Sequence, residues 1–519
     1  MDKVMKKAKE WLIYVEKNKG KIAFITILII AIFTRIYKVT SIPYGIHVDE
    51  AGMAYDAYSL ANYGTDRFLN KFPVYLINFG GGQSALYAYL ASFFIKILGF
   101  NMLAIRLPAV LLGIVAIVLC YFMAKKEIGE NFAIIFMALI TICPWHIMAS
   151  RWGLDCNLLA PMFIISLYLL LRAKKIGGYI IAGISFGLTL YTYALSYLIV
   201  PIFLILTLIY CLVTKRIKFR HVLVMGVPIF ILALPLMLMF LVNNDIIAPI
   251  ETVITVPKLS KFRDNEIDFE NIEKNKNFFD MMVTDDGLPY NAIPEFGSMY
   301  KFSVFLAVFG IFIEINELVK KLRKREFTVN ALFLFMYISI MSVMLIISSP
   351  NINKANAVFI PLLFFTTTTL RMVYKNYKVF FGIVICLYIG NFMEFQDYYF
   401  NEYSIEYRDQ VLFEQDLLDA LNYVKTKQEF EDKYIYVNTT SHQPYIYTLL
   451  NDRISPKEFN QNRHYETGYN MSYGRYYFNA GDINENAVYI IKEKPNMLQM
   501  LEDRGFTREN FNNYVILYK

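Results

Sequence analysis

Long apolar runs separated by short polar connections set the pattern of this chain. A first run covers roughly 22–38. Others follow near 84–98, 104–124, 131–149, 157–172, 178–193, 196–213, 222–242, 301–318, 329–348, 357–370 and 379–394. Runs of this length with few charges predict helices that cross a bilayer, because only a helix satisfies its own backbone there. The first run follows a lysine-rich start, lacks a small-residue cleavage site and contains Arg35, so it reads as an uncleaved span.

From about residue 395 the pattern changes to a polar tail rich in Tyr, Asn and charge. Helical stretches are predicted at Val411–Val424 and Pro444–Leu450, and strands at Tyr434–Val437, Ala487–Ile491 and Tyr514–Tyr518. Two parts are therefore expected: a transmembrane domain over 1–394 and a small α/β domain over 395–519. No internal repeat or low-complexity tract is visible.

The connections alternate in charge. Lys125-Lys126, Arg172 with Lys174-Lys175, Lys215 to His221, Lys320 to Arg325 and Arg371 to Lys378 are basic. Segments 39–83, 149–156, 243–300 and 349–356 are not, and 243–300 holds eleven acidic against five basic residues. If the run at 84–98 crosses, every later basic cluster falls opposite the basic N-terminus. If it lies flat in the interface, all of them share the cytoplasmic side. The run is short, carries Lys96 and ends at Gly99, which favours the flat placement. The expectation is an all-α polytopic membrane protein of about eleven transmembrane helices. Interfacial helices would lie in a first outer loop, 39–103, with a second outer loop at 243–300 and an extracytoplasmic C-terminal domain.

Composition agrees. Hydrophobic residues make up 56% of the chain and charged residues 18%, too few charges for a soluble protein of this length. The net charge of +7 sits in short clusters between apolar runs, which are loop anchors and not a nucleic-acid surface. The five cysteines form no C-x-x-C pair and no zinc spacing. A Lys-, Ile- and Asn-rich chain of this kind fits a prokaryotic plasma membrane.

Candidate chemistry falls in three polar segments assigned to the outer side. Just after the first span, His47-Val48-Asp49-Glu50 sets two adjacent carboxylates near the membrane surface. Such a pair is either an ordinary helix start or a site. Pro144 ends a later span, and Arg151 and Asp155 follow in a short turn, as a structural ion pair or as residues facing a cavity. The turn Ser349–Ala357 carries Lys354 and Asn356; Lys354 would either reach to headgroups or pair with a phosphate. Tyr193 belongs to an aromatic group that is either interfacial belt or pocket wall. His47 and His146 lack a third partner that would make either a metal ligand.

The ordered set Asp49-Glu50, Tyr63-Gly64-Thr65-Asp66, Phe72-Pro73-Val74-Tyr75, Gly82-Gln83-Ser84, Gly99, Ala104-Ile105-Arg106-Leu107-Pro108 and Gly113 resembles the glycosyltransferase C superfamily. The likeness is greatest to the branch of aminoarabinose lipid A transferases and protein O-mannosyltransferases. Pro144, Arg151 and Asp155 are similar to that superfamily's second acidic motif. The resemblance covers about 30–240 well, 240–395 in layout only, and not the C-terminal domain. It implies a first outer loop with the acidic pair and two surface helices. The implied reaction is inverting transfer of a sugar from a polyprenyl-phosphate donor to an acceptor hydroxyl, with Asp49 as general base. Glu50, paired with it as a catalytic candidate, and Asp155 would position the acceptor or hold cations. Lys354, helped by Arg151, Asn356 and N–H groups near Gln83, would stabilise the phosphate leaving group. Close family members carry a basic or Pro-Pro element where this chain has the neutral Gln83. The branch implies no cofactor, while the related oligosaccharyltransferases use a divalent cation on acidic motifs. A transporter or flippase, a wall-polymer ligase using a diphosphate-linked donor, and an inactive receptor are the competing functions. A transporter predicts internal symmetry and mid-membrane charge.

Overall fold

The computed structural model describes residues 2–262, 266–408, 413–439, 443–465, 471–492 and 494–519. The first half comprises α1 (Asp2–Ile36), α2 (Val48–Tyr63), a hairpin of β1 (Tyr75–Asn78) and β2 (Gly81–Ser84), α3 (Leu86–Leu98), α4 (Met102–Ile128), α5 (Glu130–Ile142), α6 (Pro144–Ala149), α7 (Leu159–Arg172), α8 (Ile176–Thr189), α9 (Ser196–Val213) and α10 (Phe219–Asn243). Helices Lys301–Lys324, Asn330–Ile346, Phe359–Asn376 and Lys378–Asp397 complete the bundle. Among the described residues, seven helical stretches are long and apolar enough to cross a bilayer, α4, α9 and α10 among them. Helices α3, α5, α8 and Asn330–Ile346 are apolar but shorter. Helix α10 presents Phe219, Leu223, Val227, Phe230, Ile231 and Leu234 outward, a surface that only hydrocarbon would cover without cost.

Local chemistry explains the first loop. His47 is extended at the N-cap of α2 and its side chain accepts from the Asp49 N–H, while Asp49 and Glu50 meet the positive end of the helix. Gly64, at φ 71°, ends α2 by donating to the Leu60 carbonyl. Helix α3 has 13 residues, about 20 Å, against about 30 Å of hydrocarbon. It buries Tyr87, Ala88, Ala91 and Ile95 on one face and exposes Phe93 and Ile97 on the other. That is the amphipathic helix expected of the run at 84–98.

The connections sort to two ends of the bundle. The basic ones meet each other: Arg216 donates to the Leu171 carbonyl, the Tyr210 hydroxyl to the Glu326 carbonyl, and the Thr328 hydroxyl to Glu127. The segments assigned to the outer side gather at the other end. There the Trp145 indole donates to Asn356, and the Ile352 N–H donates to Asp286 of loop 243–300.

The C-terminal residues form a seven-stranded mixed sheet in the order Thr507–Phe511, Tyr514–Tyr518, Ala487–Ile491, Tyr434–Asn438, Tyr476–Phe478, Met471–Tyr473, Arg463–Tyr465. Tyr434–Asn438 runs parallel to both neighbours, and the other pairings are antiparallel. The predicted helix at 411–424 begins at Gln415, with Val411 outside the described residues. Four strands were not predicted, because short polar segments such as Thr507–Phe511 pair through backbone and carry no apolar run. Ile435, Val437, Ile490 and Ile516 share one core with Ala51, Tyr55 and Ala88 of α2 and α3, so the sheet sits directly on the first loop.

Candidate active site

The β1–β2 hairpin organises the site. Its turn is Phe79-Gly80, with φ of 51° and 85°. Two successive positive values give the tight turn whose twist matches the strands, and glycine meets that demand at the second position. Near the turn, the Asn78 amide donates to Asp49 Oδ1 at 3.2 Å. At the base of the hairpin, the Ser84 N–H donates to Asp155 at 3.1 Å. Asp155 opens a short 3-10 turn and also accepts from the Cys156 N–H at 2.8 Å. The two carboxylates thus flank one hairpin, near enough for their charges to act on each other. Asp49 is 41% exposed and Asp155 is buried.

A cavity of about 370 Å³ lies beside Asp155, lined by the polar Tyr75, Asp155, Tyr193, Lys261, Glu266 and Lys354 and by the apolar Leu198, Met239 and Phe240 of α9 and α10. The size suits a small ligand, and the mixed lining suits one that carries both charge and hydrocarbon. Lys354 Nζ donates to the Ser348 carbonyl at 2.7 Å and lies 3.7 Å from Glu266. Asp155, Tyr193 and Lys354, from three distant segments, therefore share a hollow. Asp49 does not line it. It stands beyond the hairpin beside His47, whose ring packs edge-on to Trp152 and against Tyr290.

Other candidates are engaged elsewhere. Glu50 is fully buried and accepts from Arg106 at 2.9 and 3.0 Å and from the Gly153 N–H at 2.6 Å. Held by these three donors, it anchors the loop. Arg106 was legible only as part of a motif. Its remaining donors bind the carbonyls of Val39, Pro43 and Gly45. Arg151 donates to the carbonyls of Thr34, Tyr37 and Ile42, so it fastens the end of α1 and does not pair with Asp155 or enter the cavity. The Asn356 amide is spent on Trp145, Cys156 and Asn157. Gln83 is buried outside the cavity. The backbone N–H groups beside it do count, since Ser84 holds Asp155. Asn78 and Glu266 were missed: nothing in sequence sets one amide or one loop acid apart from its neighbours.

Among the described residues no group of three His, Cys, Asp or Glu side chains converges, and Glu50 is engaged by Arg106 and the Gly153 N–H.

Burial holds the His47 imidazole below its usual range, against the opposing pull of Asp49 and Glu50. Its Nδ1 is the acceptor that caps α2, so protonation removes the cap. A base depressed on folding contributes stability above its unfolded value, about 6.5, which is lost as pH falls through the folded value. Thermal stability is therefore expected to drop below about pH 6.5, and less steeply in His47→Asn, which can cap while staying neutral. Identical pH profiles for the two proteins would contradict this.

The dolichyl-phosphate-mannose-protein mannosyltransferase family matches residues 83–240. No curated protein sequence matches the chain. ArnT from Cupriavidus metallidurans in the apo state is similar over 98% of each chain, at 12% identity and a TM-score of 0.56. The same protein bound to undecaprenyl phosphate is similar over 96% of this chain and 98% of that one, at 12% identity and a TM-score of 0.54. The oligosaccharyltransferase AglB from Archaeoglobus fulgidus, in complex with an inhibitory peptide and a dolichol-phosphate, is similar at 13% identity and a TM-score of 0.51. That match covers 84% of this chain and 64% of AglB. The fold is that of ArnT and AglB.

Proposed function

We propose that the chain is a membrane glycosyltransferase that moves a sugar from a polyprenyl-phosphate donor to an acceptor hydroxyl on the extracytoplasmic face. The observation that carries this is the cavity that brings Lys354 and Asp155 together with apolar side chains of α9 and α10, beside the hairpin that holds Asp49. Two proteins of the same fold are described with undecaprenyl phosphate or dolichol-phosphate, lipids that carry both charge and hydrocarbon. In this reading the lipid stem lies along Leu198, Met239 and Phe240, and its phosphate displaces Glu266 as the partner of Lys354. Asp49 takes the acceptor's proton as its oxygen attacks the anomeric carbon. The phosphate leaves as a stable anion, so fixed positive charge serves it and no general acid is required.

The test is to supply purified protein in lipid nanodiscs with a panel of undecaprenyl-phosphate-linked sugars and follow donor consumption. Consumption of none, with or without a range of glycan and lipid acceptors, would count against the assignment. Lys354→Met is expected to raise the KM for the donor about tenfold or more, the value of one charge-assisted bond to phosphate. Melting temperature, followed in parallel, separates this effect from a loss of fold, since Lys354 also contacts the Ser348 carbonyl and Glu266. An unchanged donor KM would remove Lys354 from the phosphate site.

A further inference from the structure

We propose that Asn78 is a positioning residue for Asp49, fixed in turn by a buried Asp56–Arg67 pair that the C-terminal domain braces. This rests on the assignment of Asp49 as the base.

The Asn78 amide stands between two charged groups. Its Nδ2 donates to Asp49 Oδ1 at 3.2 Å, and its Oδ1 accepts from Arg67 Nη2 at 3.2 Å. An ionised carboxylate only accepts and a guanidinium only donates, so the amide has a single workable orientation. Arg67 is itself locked. Its Nε and Nη2 donate to the two oxygens of Asp56 at 3.0 and 2.8 Å, and its N–H donates to Asp56 at 2.9 Å. Both side chains are buried. A pair of this kind is a poor way to gain stability, because apolar replacements of similar volume often do as well. It does fix a direction.

Helix α2 is shaped to admit this arrangement. Gly52 lies one turn after Asp49 on the same face. A Cβ there would stand 2.4 Å from Asn78 Oδ1 and 2.7 Å from Arg67 Nη2. Glycine inside a helix costs about 1 kcal/mol relative to alanine, and here it leaves the space that the amide and guanidinium occupy. The C-terminal domain closes the chain of contacts: the Asn460 amide donates to the Arg67 carbonyl at 2.7 Å, and the Tyr445 hydroxyl lies 3.5 Å from Arg67 Nη1.

Other charged or titratable groups around Asp49 are His47, 3.8 Å from Oδ2, with Asp155, Cys156 and Tyr290 farther off. None donates to Oδ1 among the described residues. Losing Asn78 would leave Oδ1 without that donor and let the carboxylate rotate.

The experiment uses the full-length protein in lipid nanodiscs with the undecaprenyl-phosphate-linked sugar it consumes. In Asn78→Leu, kcat per folded molecule is expected to fall about ten- to a hundredfold, the range for one hydrogen bond to a charged group. The donor KM should hold. Gly52→Ala, which pushes the amide and guanidinium back without removing them, should also lower kcat at an unchanged donor KM. If both variants keep the wild-type kcat while Asp49→Asn is inactive, the positioning role falls and the base assignment stands. If Asp49→Asn itself transfers sugar normally, the base assignment falls. A loss confined to the yield of folded protein would also overturn the positioning role.

Discussion

Asp49→Asn is expected to lower sugar transfer by about 10²–10⁴-fold, the range for removing a general base, while leaving the fold intact. The substitution keeps the side chain's shape. The cap of α2 is a bond from the backbone N–H of residue 49 to His47, which a change of side chain does not touch. An amide at 49 can turn its oxygen toward Asn78 and keep that bond as well. What it cannot do is accept a proton. Donor consumption by the purified variant, normalised to folded protein, is the measurement. A rate within a few-fold of wild type would exclude Asp49 as the base. It would also favour a transporter or receptor on this scaffold, since neither needs a proton acceptor at this position.

The contrast between Asp49 and Arg151 shows what was legible in the chain. Charge alternation between apolar runs separated the two ends of the bundle, because loops on one end share one composition. That alternation places the segments around 49, 155 and 354 in one region, and Asp155 and Lys354 do share a cavity. Side-chain direction was not legible. Arg151 read as a phosphate ligand, yet its partners are carbonyls 117, 114 and 109 residues upstream. A planar fork of donors suits such a carbonyl cluster as well as it suits a phosphate. Asn78 and Arg67 were invisible for the same reason, since their roles exist only once the hairpin lies on α2. Gly52 was the available clue: a glycine in mid-helix marks a close approach. The polar strands of the C-terminal sheet failed differently. Met471–Tyr473 and Arg463–Tyr465 have three residues each, too few for a period to show.

The Glu50–Arg106 pair gives the largest expected effect on stability. Both side chains are fully buried, and Arg106 joins Glu50 to the carbonyls of Val39, Pro43 and Gly45. It ties α4 to the segment that delivers Asp49. Arg106→Met removes one charge and strands the other, a change that costs about 3–5 kcal/mol when a buried pair is broken. A sharp fall in melting temperature and in the yield of monodisperse protein is expected. Adding Glu50→Gln should recover a large part of the loss. It neutralises the stranded charge, and the new side chain can still accept from the Gly153 N–H. The three carbonyls remain without their donor, so recovery should stop short of wild type. Glu50→Gln alone should be milder than Arg106→Met, because Arg106 keeps three acceptors. The order wild type, Glu50→Gln, double variant, Arg106→Met in melting temperature is the test. If Arg106→Met melts with the wild type, the pair does not hold the loop, and Glu50 would have to be reconsidered as a group that reaches substrate.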